Sequence, residues 1–498
     1  MQQGLEQKRE GAITVYMALT LTVLLSLFVF LISEARSRAV ELVASCGVDL
    51  GVYSVFAEYN RELFEEYDLL FVDTSYGKDR AGDQMKQRLA YYIEENLSKG
   101  KVKAGIGTDL LQTELSDLQI KECSYATDEK GEIFYRQAAE FMKQTYGVSY
   151  LRELEEELAI ANENDLFTRD VTSEREQNQR RLDELKEEGV PTGEVDENGN
   201  PVTKPVEFDN PADSVNASRS LGVLNLVTDA SALSYSGIRA GTQLSSAMNH
   251  SDGNGLCGRK HSTTADGLWF CLYLREHCGS FRQPKETGVL QYQMEYILEG
   301  KDNDVDNLKA VVTKLLALRE TANVVYLFSD AAKMGEAEAL AASIATAAGL
   351  PVLTEPIKIS LLFAWAWAES VWDVRCLLAG RSVKILKTSQ DWHCSLSGLL
   401  GDAGGELPPQ EETDRSGLAR ISRGELGYEE YLLLFLSMEG KQTKLNRMMD
   451  LAELDVRKNS GDYGFFLSDC MEYLTVEALV TGRKGGSKTV RRNFSYDG

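Results

Sequence analysis

Hydrophobic residues are concentrated near the N-terminus, where no charged residue occurs between Gly11 and Ser33. A helix of about 20 apolar residues spans the core of a bilayer, so residues 12–33 are predicted to form one transmembrane helix in contact with lipid. A cleaved secretory signal is the alternative, because Ser33 and Ala35 have the small-x-small spacing of a cleavage site. The apolar segment is longer than a typical signal core, which favours an uncleaved anchor.

The apolar pattern continues beyond this segment at alternating spacings of three and four residues, as on one face of a helix. We expect a single helix from Ala12 to Glu66, with a helix-packing stripe formed by Ala39, Val43, Cys46, Leu50, Tyr53, Ala57 and Phe64. The stripe would pack either against the body of the same chain or against other subunits. Gly47 and Gly51 are one turn apart, which indicates either a notch for close packing or a kink.

The rest of the chain combines helical and strand-like patterns. Helices are predicted over 86–96, 132–188, 303–320, 331–348, 357–379 and 427–457. Strands are predicted over 68–73, 118–125 and 291–298, and a terminal hairpin over 476–481 and 488–494. Because helices and strands do not alternate regularly, the pattern favours an α+β fold, helix-rich with small mixed or antiparallel sheets, over a doubly wound α/β fold.

A change in composition divides the region beyond the anchor. Residues 191–215 contain four of the nine prolines and are predicted to form an acidic, Pro-rich linker or loop. This segment separates a membrane-proximal helical and α+β region, 34–190, from an α+β C-terminal region, 216–498. Alternatively, it projects as an insertion from a single body.

Composition narrows the classes of function. The 498 residues include 53 Lys and Arg against 77 Asp and Glu, a net charge of 53 − 77 = −24. Such a surface repels backbone phosphates, so no nucleic-acid partner is expected. A mean hydropathy of −0.27 excludes a polytopic membrane protein, and a hydrophobic content of 43% excludes a disordered chain.

Cysteine and histidine side chains are clustered in one part of the sequence. The eight cysteines contain no Cys-x-x-Cys pair, and the best local candidates for disulfides are Cys257, Cys271 and Cys278. Free buried thiols are the favoured alternative. Three of the four histidines lie in the same region: His250, His261 and His277. Because the spacing matches no zinc finger or ribbon, no metal is expected.

Three further groups have both a functional and a structural interpretation. Asp73, Ser75 and Gly77 partly match the Asp-x-Ser-x-Ser metal site of von Willebrand A domains, but a strand-ending turn is favoured because glycine replaces the last serine. Trp365 and Trp372 share one face of a predicted helix, in the core or in a groove for another subunit. The late basic residues could contact anionic lipid or protect an edge strand: Arg483, Lys484, Lys488, Arg491 and Arg492.

The search for catalytic motifs is negative. The sequence contains no Gly-x-Ser-x-Gly elbow, Walker A loop, His-Glu-x-x-His helix or Gly-x-Gly-x-x-Gly turn. We therefore expect neither enzymatic activity nor a cofactor. A hydrolase based on paired carboxylates stays open, since 77 acidic residues offer many pairs.

The N-terminal segment resembles the start of a Tad-type (tight-adherence, Flp) pseudopilin of the TadE and TadG kind. In these proteins a basic stretch and a small residue precede an apolar helix of the form Ala-x-x-Val-x-x-Ala-Leu, which corresponds here to Ala12 through Leu19. The resemblance implies a processing site between Gly11 and Ala12. Tyr16 departs from the pattern, because pilin-type proteins usually have Glu at that position.

A broader resemblance is found in the segments 57–77, 292–330 and 364–380. They are similar to an uncharacterised family in Firmicutes, a domain of unknown function, whose members have one N-terminal anchor and tend to be encoded near Tad-type pilus and secretion genes. The resemblance implies a cell-membrane protein in that setting, but it assigns no catalytic residue.

The expected function is therefore structural. The chain is interpreted as a single-pass, pseudopilin-like or accessory component of a Tad-type pilus or secretion apparatus, with other pilus or secretion subunits as partners. Its N-terminus, residues 1–11, would be cytoplasmic and its body extracytoplasmic, although flanking charges give no orientation by themselves. The main alternative is a membrane-tethered sensor or ligand-binding protein.

Overall fold

A computed structural model describes residues 2–77, 83–99, 103–104, 108–109, 111–146, 149–196, 201–205, 208, 210–219, 222–229, 233–239, 242–244, 246, 264–400, 424–483 and 486–496. The helices are α1 (Gln2–Phe56), α2 (Arg61–Tyr67), α3 (Asp83–Lys99), α4 (Asp128–Thr145), α5 (Ser149–Glu163), α6 (Val171–Glu188), α7 (Pro211–Ser218), α8 (Val223–Val227), α9 (Thr264–His277), α10 (Gln293–Glu299), α11 (Asp304–Ser329), α12 (Ala331–Ala347), α13 (Thr354–Leu378), α14 (Tyr428–Met438) and α15 (Lys441–Ser460).

The strands are β1 (Val72–Asp73), β2 (Lys103–Ala104), β3 (Thr108–Asp109), β4 (Thr113–Tyr125), β5 (Val190–Val195), β6 (Pro201–Lys204), β7 (Val383–Lys384), β8 (Glu425–Leu426), β9 (Cys470–Gly482) and β10 (Gly486–Ser495). All their pairings are antiparallel. This combination of many helices with small sheets confirms the predicted α+β class and the long N-terminal helix. The terminal hairpin, β9–β10, is also confirmed.

The predicted strand over 291–298 is wrong, because the segment forms α10. Every residue from Gln293 to Leu298 is buried, so the segment has no one-sided pattern by which a strand could be told from a helix. Asp304 holds the start of this helix, accepting the backbone N–H groups of Gln291 and Tyr292 at 3.0 and 3.1 Å.

Three predicted helical segments are divided in the structure. Residues 132–188 form parts of α4, α5 and α6. The helix from Ala12 ends at Phe56, and α2 starts separately because the Asn60 side chain accepts the backbone N–H of Leu63 at 2.9 Å. The predicted helix 427–457 is divided into α14 and α15, because Glu439 has an extended backbone with ψ of 144°.

The chain divides into two compact units, of which unit 1 comprises Met1–Gln137, Gln243–His261 and Val456–Gly498. Strand β9 is central in its main sheet, where it pairs with β1, β4 and β10. The C-terminal half of α1 and helix α3 pack with this sheet. Burial of their aliphatic side chains builds the core of unit 1, which includes Val48, Val52, Ile93, Leu97, Leu474 and Val476.

Two glycines set the distance between α1 and α3. A Cβ atom on Gly47 would lie 2.7 Å from Leu97 Cδ2, and one on Gly51 would lie 2.5 Å from Ile93 Cγ1. Side chains at either position would collide with α3. Of the two interpretations left open by the sequence, the structure shows the close-packing notch.

Unit 2 comprises Ala138–Thr242 and Ser262–Asp455. Helix α13 is at its centre, packed by α6, α7, α11 and α12, and nearly all of its residues are buried. The predicted linker, 191–215, lies within this unit and contains the β5–β6 pair and the start of α7. Each unit draws residues from both sides of that segment.

Candidate functional site

The predicted helix-packing stripe lies largely on the exposed side of the described structure. Its exposed members on or just after α1 are Cys46, Leu50, Tyr53 and Ala57, and its half-buried members are Ala39 and Val43. Phe64 lies on α2 and is 38% exposed. Leu42, which is 66% exposed, extends the same side of the helix.

We name Leu42, Cys46, Leu50 and Tyr53 the outer face of α1. Leu50 and Tyr53 are 51% and 57% exposed, and the ring of Tyr53 borders on Phe494 at 5.4 Å between centroids. Adjacent large apolar side chains that are exposed to solvent are typical of a surface that binds a partner.

Sequence reasoning missed the residues that pack α1 onto its own unit. These buried residues are Val40, Ala44, Val48, Val52 and Val55, which we name the inner face. They recur at the same three- and four-residue spacings as the outer face, so periodicity alone cannot tell the two apart. Gly47 and Gly51 were the sequence signal that could have located the inner face, because glycines on a helix allow another backbone to approach closely.

Ion pairs with the edge strand β10 add to this packing. Lys488 Nζ lies 3.5 Å from a Glu41 carboxylate oxygen, and the Arg492 guanidinium pairs with Asp49 on α1. The other predicted basic residues are Arg491, which pairs with Glu122 at 3.0 Å, Arg483, which donates to Gln112 at 2.9 Å, and Lys484, which lies outside the described residues. Three of the five therefore take part in ion pairs within unit 1.

The N-terminal part of α1 has the properties of a membrane span. Residues 13–19 and 21–35 are exposed, and the most apolar 18-residue window of this helix has a mean hydropathy of 2.5. A lipid-facing anchor and a signal sequence both fit this length and composition. Gly11 and Ala12 lie in the helical backbone of α1, and their side chains are outside the described residues.

Unit 2 contains a cavity of about 380 Å³ between the loop before α6 and the helices α10, α11 and α14. Its buried apolar lining includes Leu166, Leu298, Leu318 and Phe435. Apolar clefts of roughly this size with a few polar groups are typical of small-molecule sites. None of these residues was singled out from the sequence, because they come from four separated segments.

Three charged side chains line the same cavity. Arg169 binds Glu174 through Nε and Nη2, both at 2.9 Å, and Lys314 Nζ lies 2.7 Å from Glu299. Glu439, the third, terminates α14, where its backbone N–H bonds to the Phe435 carbonyl. Among the residues that the structure describes, Glu439 has no ion-pair partner. The cavity thus combines an apolar lining with charges of both signs.

A buried ionic cluster holds the core of unit 2 together. The Arg319 guanidinium, fully buried, lies 2.9 Å from Asp373 and also donates to Tyr431 at 2.9 Å. Lys387 pairs with both Asp373 and Glu369. Each charge is compensated, as burial requires, so this cluster is structural.

The tryptophans of α13 belong to the same core. Trp365 is buried and donates its indole N–H to the Cys394 carbonyl at 2.8 Å. Trp372 stacks on His393 with ring centroids 3.9 Å apart. Glu369 accepts the backbone N–H groups of His393 and Cys394 at 2.9 and 2.7 Å, which fixes that loop on α13.

Several buried acids in unit 2 have raised pKa values, and Glu295 and Glu429 are two of them. Burial raises the pKa of Glu295 to about 7, although hydrogen bonds from the Phe281 N–H and the Tyr428 hydroxyl oppose the shift. Burial, and then Glu430, raise the pKa of Glu429. Neither acid lines the cavity described above. Neither carboxylate could therefore act as a hydrolase residue on a substrate bound in that cavity.

The remaining candidate sites are turns and thiols in the described part of the chain. Asp73 accepts the backbone N–H and the hydroxyl of Ser75 at 2.9 and 2.7 Å, which forms a strand-ending turn. Cys271 and Cys278 are buried free thiols, and burial raises the pKa of both.

For the candidate zinc group, the described ranges contain no three His, Cys, Asp or Glu side chains placed to hold a metal ion. The other members of that group lie outside the described residues: His250, Cys257 and His261.

The fold and the exposed helix define a two-unit α+β protein with one candidate membrane-spanning helix among the residues that the structure describes. The chain belongs to a family of unknown function, DUF5702, which matches residues 202–482. No curated protein and no solved structure matches the chain. This family agrees with the expected domain of unknown function, whereas the links to Firmicutes and to Tad-type pili stay predictions.

Proposed function

We propose that this protein is a membrane-anchored, non-enzymatic structural subunit whose α1 helices associate side by side. The observation that carries the proposal is the outer face of α1, which is apolar and exposed beyond the predicted membrane span. The partner is a second copy of the same chain. Copies anchored in the same membrane have their α1 helices oriented in the same direction. Two such helices can therefore pack in parallel without any additional element to align them.

Lipid cannot cover the outer face. At 1.5 Å per residue, Leu42 is about 13 Å and Leu50 about 25 Å beyond Ser33, the end of the predicted span. The polar headgroup layers add only about 5–8 Å on each side of the hydrocarbon core. The outer face therefore lies in water, where burial against protein is favourable by about 25 cal/mol per Å² of apolar surface.

The anchor in this proposal is uncleaved. Helix α1 continues without interruption from the apolar segment to Phe56, and its second half is part of the core of unit 1. Cleavage near Ser33 would leave that half in place but remove the membrane attachment. Retention of the span keeps unit 1 at the membrane with its outer face accessible to neighbours.

Cys46 provides a direct test, because it lies at the middle of the outer face and is exposed. Membranes that contain the full chain are treated with copper phenanthroline, and the products are separated without reductant. We expect a dimer linked through Cys46, identified by peptide mass spectrometry, and its loss in Cys46→Ser. Leu50→Lys should also reduce the cross-link strongly, because it places a charge in the contact.

The matched control is Cys46→Ser combined with Glu65→Cys, which moves the thiol to an exposed position on α2. This variant should remain monomeric under the same oxidation. Equal cross-linking of the two thiols, or none at Cys46, would contradict lateral association through the outer face.

Within this proposal, the subunit belongs to a Tad-type pilus or secretion apparatus, with a cytoplasmic N-terminus and an extracytoplasmic body. The resemblance of its N-terminal segment to TadE- and TadG-like pseudopilins supports this assignment. N-terminal sequencing of the protein purified from native membranes tests this assignment. A start at Ala12 would support prepilin-type processing after Gly11. An intact Met1 would exclude a processed, polymerising subunit, and a start near Arg36 would exclude the anchor itself.

A second candidate function, ligand binding by an extracytoplasmic sensor, is favoured by the cavity in unit 2. Its apolar lining and charged margin are the features of a small-molecule site. A thermal-shift screen of the full chain in lipid nanodiscs against a broad set of small metabolites tests this function. A ligand whose stabilisation is lost in a cavity-filling variant would support it.

A further inference from the structure

We infer that the cavity in unit 2 binds an α-amino acid with an apolar side chain. This inference rests on the second candidate function and is independent of association through α1. The inference follows from three features of the cavity: an apolar interior, two cations and one carboxylate. A zwitterion with an apolar substituent complements all three features.

The interior selects for an apolar group. Leu298, Leu318 and Phe435 are almost fully buried, and Phe167 adds a second aromatic ring to the lining. A volume of about 380 Å³ accommodates one side chain as large as that of phenylalanine together with the charged end of the ligand. Burial of such a side chain supplies most of the binding free energy, since each CH₂ is worth about 0.8 kcal/mol.

The cations can receive the carboxylate of the ligand. Arg169 uses Nε and Nη2 for Glu174, which leaves the Nη1 edge of the guanidinium available. Lys314 has one carboxylate partner, Glu299, for an ammonium group with three donors, and its side chain is 46% exposed. Both groups retain donors, and hydrogen bonds to charged groups are the stronger kind.

The ammonium group of the ligand pairs with Glu439. This residue follows the last turn of α14, where the free backbone carbonyls of the helix end favour a positive charge. Glu439 has no ion-pair partner within the described ranges, so its carboxylate is available. Two cationic residues and a helix-terminal acid in the lining distinguish this cavity from a purely apolar cleft.

The test uses the full chain in lipid nanodiscs, with empty nanodiscs as the blank and saturation-transfer NMR and calorimetry as readouts. Four probes separate the three features of the ligand: L-phenylalanine, 3-phenylpropanoate without the amine, 2-phenylethylammonium without the carboxylate, and glycine without the apolar group. L-phenylalanine should bind about tenfold or more tightly than each of the others, since each lacks one feature.

Two charge variants assign the roles. Glu439→Gln should weaken L-phenylalanine and 2-phenylethylammonium about tenfold and leave 3-phenylpropanoate unchanged. Lys314→Gln should weaken L-phenylalanine and 3-phenylpropanoate and leave 2-phenylethylammonium unchanged. A Glu439→Gln variant that binds all probes like the parent would overturn the role of that carboxylate and with it the amino-acid assignment.

A cavity-filling variant tests the location. Ala317 is exposed at the cavity on α11, so Ala317→Leu narrows the space without entering the core and should weaken all aromatic probes. The matched control is Ala339→Leu, an exposed position on α12 that does not line the cavity.

The outcomes separate the amino-acid assignment from ligand binding in general. Equal or tighter binding of 3-phenylpropanoate or 2-phenylethylammonium would overturn the amino-acid class while ligand binding stands. Binding by none of the probes would overturn the assignment, and the wider metabolite screen would then decide the second candidate function by itself.

Discussion

Helices α1 and α13 are both long and apolar, but their surroundings are opposite. Nearly all of α13 is buried by other helices of unit 2, whereas residues 13–19 and 21–35 of α1 are exposed. The two helices also differ in their charged residues. α13 contains buried Glu369 and Asp373, while α1 has no charge between Gly11 and Ser33.

The difference matches the one expected between a helix in a protein core and a helix suited to a bilayer. In a protein core, a charged side chain is tolerated when a partner of opposite charge is built beside it. A bilayer core offers no such partner, and a single charge there costs several kcal/mol. The presence or absence of charges therefore separates a core helix from an anchor more clearly than mean hydropathy does.

Removal of one partner from the ionic cluster should have the largest effect. Asp373→Ala leaves the Arg319 guanidinium without its carboxylate and Lys387 with only Glu369, so we expect a loss of about 3–5 kcal/mol in the free energy of unfolding. Urea denaturation followed by tryptophan fluorescence measures it. The control is Glu336→Ala at an exposed acid on α12, which should change stability by less than about 0.5 kcal/mol. A loss under about 1 kcal/mol for Asp373→Ala would contradict the cluster's structural role.

Glu295, a buried acid that forms no ion pair among the described residues, should give a somewhat smaller, pH-dependent effect. The pKa of Glu295 is raised from 4.5 to about 7 in the folded chain, so between these values the folded state keeps a proton that the unfolded state has lost. Stability should fall by about 3 kcal/mol as the pH rises from 4.5 through 7. Below pH 4.5 this contribution is fully present.

Unfolding free energies of the parent and Glu295→Gln at several pH values measure this effect. The variant should lack that part of the pH dependence, whereas Glu336→Gln, at an exposed acid on α12, should keep the parental profile. Parallel profiles for the parent and Glu295→Gln would show that burial of this carboxylate does not control its titration.

The contact between α1 and α3 should produce the smallest effect. Gly51→Ala places a Cβ atom 2.5 Å from Ile93 Cγ1, so overpacking should cost about 1–3 kcal/mol. Gly335→Ala on α12 is the matched control, because nothing lies within 4 Å of its Cβ position, and it should stabilise by up to about 1 kcal/mol. If Gly51→Ala also stabilises, the glycine notch is not a constraint on the approach of the two helices.

Features that depend on local pattern could be predicted from the sequence. The uncharged segment before Glu34 is long and apolar enough to predict a helix that can span a membrane. The hairpin around Gly485-Gly486 joins two strand-forming segments that are adjacent in sequence. Helices α11, α12 and α13 are long enough for periodicity to be read. In contrast, α10 is seven residues long and buried on all sides, so nothing in its pattern distinguishes a helix from a strand.

The sequence by itself determined the apolar segment that could span a membrane, the long helices and the α+β class, because these follow from interactions between residues close together in the chain. Only the tertiary structure decided which face of α1 is exposed, since Val48 and Leu50 are equally suited to burial and only Val48 lies in the core of unit 1. It likewise decided the cavity, where Arg169, Lys314 and Glu439 meet from segments far apart. Long-range packing places such residues, and no local pattern encodes it.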